Sequence, residues 1–307
     1  MTIEELIAQA ESGLTAQFAR IDRMEEIGTR RVLDAFREHQ VAYRHFAPTT
    51  GYGYDDVGRD TLEKIFAELF GTQRTCYSTE GSSQCIRAML YLALNNRPKG
   101  NSNVIVAARN VHKTFVYAAA LLDIEPVWLW PESSSSLCGC PVTPAILKET
   151  LNKLDAPPAA VYVTSPDYLG EMADMGNLAK VCHDSGTILL VDNAHGAYLK
   201  FLSKSLDPLD LGADMCCDSA HKTLPVLTGG AYLHISASAP PLFAENAARA
   251  MALFACTLCR SGKVGIGPLR LHQPVIPYNG LAGRLQQPSG GRLPKEDSGM
   301  GREYGLP

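Results

Sequence analysis

Between residues 72 and 255 short apolar runs alternate with helix-length stretches, and this alternation limits the possible folds more than any other feature of the chain. NVIVAA at 103–108, AAVYVTS at 159–165, TILLVD at 187–192 and GAYLHI at 230–235 read as strands, and 82–94, 112–122, 143–152 and 174–184 read as helices. A strand that is apolar along its whole length has to be covered on both faces, and a helix between strands is the crossover that parallel pairing requires. The pattern predicts an α/β fold: a mostly parallel sheet covered by helices. In such a sheet ligands bind outside the carboxyl ends of the strands.

The flanks differ in kind. In residues 1–40, Ile3, Leu6 and Ile7, then Phe18, Ile21 and Met24, then Val32, Leu33 and Phe36 recur at helical spacing. A glycine-rich turn, PTTGYGYDDVGRD, leads into a helix from about Arg59 to Phe70 with Leu62, Ile65, Phe66 and Leu69 on one face. After 255, glycine and proline make up 16 of 52 residues and no periodicity persists, so a compact domain is not expected there. Three zones follow: an N-terminal helical segment over 1–71, a large domain over 72–255, and a tail over 256–307 expected to be disordered.

Charge and cysteine content exclude several functions. A net charge of −4 leaves no electrostatic footprint for nucleic acid or an anionic membrane. No apolar stretch approaches the roughly 20 residues a bilayer span needs, and the start MTIEELIAQAESG is acidic and amphipathic, unlike a signal peptide; a cytoplasmic protein is expected. The nine cysteines lack the paired spacing of a zinc site, Cys256 and Cys259 form an isolated CxxC, and Cys216 and Cys217 sit in an apolar run as small hydrophobes. A small-molecule partner is expected.

The chemistry-bearing residues fall at the strand ends. TILLVD closes on Asp192, followed by Ala194 and His195; MCCDSAHKT closes another apolar segment on Asp218, Ser219, His221 and Lys222. STEGSSQC puts Gly81, Ser82 and Ser83 where a helix begins, an anion site by its dipole and free N–H groups, and AARNVHKTF sets His112 at the next helix start. Singly, each has a plainer reading: Ser82 or Ser83 as a helix cap, His112 as a surface cap, Asp192 as a turn cap, a lysine as a solvated charge. Together they match pyridoxal phosphate, which needs a lysine amine for a Schiff base, an acid opposite its pyridine nitrogen, and donors around its phosphate.

GSSQCIRAML, ARNVHKTF, VYVTSPDYLGEMAD, LLVDNAHGAYLKFL and LGADMCCDSAHKTLPVLTGGAYLH resemble the pyridoxal-phosphate domain of the ornithine/lysine/arginine decarboxylase family over about residues 72–255. The resemblance implies the aspartate-aminotransferase fold (fold type I), usually a homodimer with sites at the subunit interface. Lys222 would form the internal aldimine and Asp192 pair with the pyridine nitrogen. His112 would stack on the ring and Ala194 pack beneath it, while Ser82, Ser83, Ser219 and His221 would bind the phosphate. His195 lies in the matching stretch without a definite role.

The chain departs from that family twice. A Pro-Gly-His-Lys motif is missing ahead of the domain, and residues 45–71 instead resemble the N-terminus of the aluminium-resistance proteins, relatives of cystathionine and methionine γ-lyases. In those lyases a tyrosine and an arginine here reach the neighbouring subunit's cofactor phosphate, which makes Tyr52, Tyr54 and Arg59 candidates. After ENAARAMALF, where the family continues into a small C-terminal domain, the breaker-rich tail resembles no part of it, so that domain is expected to be missing. Decarboxylation of a basic amino acid (lysine, arginine or ornithine) is the expected activity; a methionine γ-lyase-type carbon–sulfur lyase and an inert cofactor-binding remnant are the alternatives.

Overall fold

The computed structural model describes residues 2–46, 57–131, 138–224, 226 and 229–255. Tyr52, Tyr54, the CxxC at 256–259 and the tail therefore lie outside the described residues.

Among the described residues seven strands form one sheet: β1 (Thr72–Ser78), β2 (Val104–Ala108), β3 (Glu125–Leu129), β4 (Ala160–Thr164), β5 (Leu189–Asp192), β6 (Met215–Asp218) and β7 (Ala231–Ser236). Their order is β1-β7-β6-β5-β4-β2-β3. All pairs from β6 through β5, β4 and β2 to β3 are parallel, and β7 is antiparallel to both β1 and β6. The expected mostly parallel sheet is therefore present, with β7 the one strand running against the rest.

The pleat sorts the apolar residues onto two cores. Leu190, Met215, Cys217, Tyr162 and Leu233 face one side, where helices α4 (Ser82–Asn95), α5 (Lys113–Leu122) and α9 (Pro241–Leu253) cover them with Ile86, Met89, Phe115, Phe243 and Ala247. Leu189, Val191, Cys216, Val161 and Val163 face the other side, under α6 (Pro144–Asn152) and α7 (Met175–Asp184), which contribute Leu147, Leu178 and Cys182. Consecutive apolar residues in β5 and β6 thus serve opposite cores, which is why these strands carry no polar alternation.

The N-terminal helices are α1 (Ile3–Ser12), α2 (Thr15–Glu38) and α3 (Val57–Phe70). A capping box starts α1: Thr2 Oγ1 accepts from Glu5 N at 3.2 Å, and Thr2 N donates to Glu5 Oε2 at 2.8 Å. Ile3, Leu6 and Ile7 remain exposed, whereas α3 is seated on the sheet through Phe66 and Phe70, whose rings pack on Tyr232 of β7. Among the described residues no helix is long and apolar enough to cross a membrane.

Candidate active site

The parallel strands bring their carboxyl ends to one edge, and the polar groups read from the sequence gather there. Asp192 ends β5 and is 2% exposed. Burial pushes its carboxyl pKa up; the Ala194 N–H on Oδ1 (3.2 Å), the Lys222 charge, the Tyr162 hydroxyl on Oδ2 (3.2 Å) and the His112 charge pull it down. The bond from Ala194 realises the turn-cap reading, yet it uses only one oxygen. Among the described residues no cation lies within ion-pair distance of this buried carboxylate, so it is suited to a cationic ligand atom.

Lys222 lies in the short helix α8 (Ala220–Thr223) directly after β6. Its Nζ is 3.1 Å from His195 Nε2. Desolvation lowers the lysine's pKa while Asp192 and Cys217 oppose the change; His195 is lowered by its own burial and then by the Lys222 charge. Two cations at this separation repel, so the pair favours one proton, held between amine and imidazole. Tyr168 meets the His195 ring edge-on at 4.8 Å. His195 thus acquires the contact that sequence reading could not assign to it.

The anion-binding corner is built by α4. Gly81 precedes it at φ 75°, a left-handed conformation natural to glycine, and donates its N–H to Gly229 O at 2.8 Å. Gly81 therefore contributes the turn rather than a free N–H, and a Cβ placed on it would meet nothing within 4 Å, so the space before the helix is open. Neither serine caps α4. Ser82 Oγ instead accepts from Ser219 Oγ at 2.9 Å, joining the helix start to the lysine's own segment. His221 faces Gly230 O through Nδ1 at 2.9 Å, so Nδ1 carries the proton and Nε2 is left over.

His112 is the N-cap of α5 and accepts from Thr114 N at 3.3 Å. Thr114 Oγ1 lies 2.9 Å from His112 Nδ1 and 3.0 Å from Ser83 Oγ, a short polar chain that fixes the imidazole against the α4 corner. Thr114 and Tyr162 were missed by sequence reasoning. The one available signal for Tyr162 was a hydroxyl in the otherwise apolar AAVYVT strand. Arg59 is placed on the first turn of α3, where its charge acts on Glu63 and Cys76.

Comparison with known proteins then decides the family. The family model of the Orn/Lys/Arg decarboxylase major domain matches residues 58–258. The chain belongs to the Orn/Lys/Arg decarboxylase family. A methionine gamma-lyase model matches residues 3–99, overlapping the first match over α3, β1 and α4. The uncharacterized protein YaaO of Bacillus subtilis (strain 168) is 32% identical over 196 residues, 61% of this chain and 39% of its own length. An arginine decarboxylase of Halalkalibacterium halodurans is 32% identical over 177 residues, 56% of this chain and 34% of its own. The chain thus spans well under half the length of these two family relatives. Among solved structures, a carbon-sulfur lyase involved in aluminum resistance from Clostridium novyi NT superposes with a TM-score of 0.61 at 20% identity, over 85% of this chain and 65% of that one. The fold is that of the fold type I pyridoxal-phosphate lyases, and the family is one of pyridoxal-phosphate-dependent decarboxylases and lyases.

The donor set fits the cofactor this family implies. A buried carboxylate, an amine of lowered pKa, and hydroxyls at an open helix N-terminus are the kinds of group that the ring nitrogen, aldehyde and phosphate of pyridoxal phosphate require.

Proposed function

We propose that the chain holds pyridoxal phosphate on Lys222 and decarboxylates a basic amino acid, lysine, arginine or ornithine. The observation that carries this reading is the convergence of Lys222, the buried carboxylate of Asp192 and the Ser82–Ser219 hydroxyl pair at one sheet edge. Relatives named arginine decarboxylase support the substrate class.

The bound cofactor would supply an electron sink for the charge left at the substrate's Cα. Asp192 would keep the ring nitrogen protonated, and His195 would take the proton that Lys222 Nζ must lose before it can act as a nucleophile. Ser82, Ser83, Ser219 and the free Nε2 of His221 would hold the phosphate at the positive end of α4, with Gly81 shaping the turn. His112 would lie against the ring and Ala194 beneath it. Arg59, with Tyr52 and Tyr54, would act across the interface of a cytoplasmic homodimer.

A second reading, a carbon–sulfur lyase of the methionine γ-lyase type, is favoured by the match over residues 3–99 and uses the same Lys222 and Asp192. Product separates the two: CO2 from a basic amino acid, or ammonia and a thiol from a sulfur amino acid. A chain that binds cofactor and releases neither is the inert remnant.

Purified protein with added pyridoxal phosphate should show a visible band, and borohydride reduction with peptide mapping should place the label on Lys222. Lys222→Ala should lose both. An unchanged spectrum in that variant removes the assignment.

A further inference from the structure

Tyr162 is completely buried in the centre of β4, and its hydroxyl donates to Oδ2 of Asp192 at 3.2 Å. The pairing of β4 with β5 sets this contact. Tyr162 stands opposite Leu190 and Thr164 opposite Asp192, so the tyrosine lies one pleat below the carboxylate on the same face and its length spans the difference. Phe115 of α5 packs on its ring at 4.7 Å. Burial and the adjacent carboxylate hold the phenol protonated, so it acts as a donor.

The other groups facing Asp192 come from every element around it: Lys222 from α8, His112 ahead of α5, the Cys217 thiol from β6 at 3.8 Å from Oδ1, and the Ala194 N–H from its own turn. Of these donors only Tyr162 bonds to Oδ2; the Ala194 N–H and the Cys217 thiol both bond to Oδ1. A carboxylate oxygen has two lone-pair sites, so Oδ2 can take the tyrosine from behind and still offer its second site to a ring N–H. Such a bond also favours the ionised carboxylate, against the burial that disfavours it.

We propose that Tyr162 is a positioning residue for the cofactor's ring-nitrogen partner: its hydroxyl aims Asp192 and keeps it ionised. This rests on the proposed function in assuming that Asp192 meets the cofactor ring. The plainer alternative is a core tyrosine that happens to satisfy its hydroxyl, contributing only stability.

Tyr162→Phe removes one oxygen and keeps the ring, so it separates these readings. In cofactor-free protein labelled with 13C-aspartate, the Asp192 carboxyl midpoint in the variant should rise by about one pH unit, the loss of a charge-assisted hydrogen bond. In the loaded protein, pyridoxal phosphate should bind about tenfold more weakly, and the pH midpoint of the visible band should shift. Phe115→Leu loosens the same ring but keeps the hydroxyl; it should lower Tm and leave both midpoints in place. An unmoved Asp192 midpoint in Tyr162→Phe overturns the proposal, as does an equal shift in Phe115→Leu. A wild-type protein with no cofactor band, in which Asp192 nevertheless responds to Tyr162→Phe, overturns the function and retains the Tyr162–Asp192 coupling.

Discussion

Asp192 and Lys222 illustrate how much of this site is decided by single side chains. Both pKa values move toward the neutral form through burial, and each also shields the other through its charge. On the proposed function, Asp192→Ala should leave the Ser82–Ser219 corner intact, so some pyridoxal phosphate should still bind, while turnover falls by about a hundredfold or more for want of a group to hold the ring proton. Single-turnover kinetics beside equilibrium dialysis checks this; retention of full turnover would remove Asp192 from the chemistry. Asp192 was legible in the sequence because it ends an apolar run, and Lys222 because it stands in the polar cluster DSAHKT that follows one. His195 was visible as a residue, but its 3.1 Å contact with Lys222 was not, since 27 positions separate them and only the neighbouring ends of β5 and β6 bring them together.

At the level of elements, the strands found in the sequence are the ones buried on both faces. β2, β4 and β5 lie inside the sheet, and their apolar runs stand out. The two edge strands, β1 (TQRTCYS) and β3 (EPVWL), escaped separate notice because an edge is covered less completely and keeps polar residues. The antiparallel course of β7 was likewise hidden, because GAYLHI has the same apolar character in either direction. The turn joining β7 to the α4 corner is tight: Gly229 has φ 93°, and a Cβ there would lie 2.5 Å from Thr79 O. Gly229→Ala should therefore destabilise by about 1–3 kcal/mol and weaken cofactor binding by disturbing the Gly81 turn. Thermal melts with and without pyridoxal phosphate test it, and a variant that matches wild type in both would show that the turn can yield.

Across the whole molecule, a second polar cluster lies on the opposite face from Asp192. Asn193 Nδ2 donates to Asp218 Oδ1 at 2.6 Å, His234 Nε2 stands 3.4 Å from Asp218 Oδ2, and Asp207 lies completely buried near both. Burial, and then the Asp218 charge, push Asp207 up to about 6 from an ordinary 3.8. The folded chain therefore binds more protons than the unfolded chain between those values, so stability falls as pH rises through about 4 to 6 and the cost is complete above. Asp207→Asn should stabilise the protein at pH 7.5 by about 2–3 kcal/mol and much less at pH 4, read from urea midpoints at the two pH values. Equal gains at both would mean that ionisation of Asp207 is not the cost. By itself the sequence determined the α/β class, the covered parallel sheet and the residue types at its carboxyl edge, because apolar periodicity and strand ends are local properties. Tertiary structure alone decided that Ser219 meets Ser82 from 137 residues away and that Tyr162 meets Asp192 rather than solvent. Those contacts depend on strand order and register, which arise from non-local pairing, and a shift of one residue would have turned each side chain to the other face.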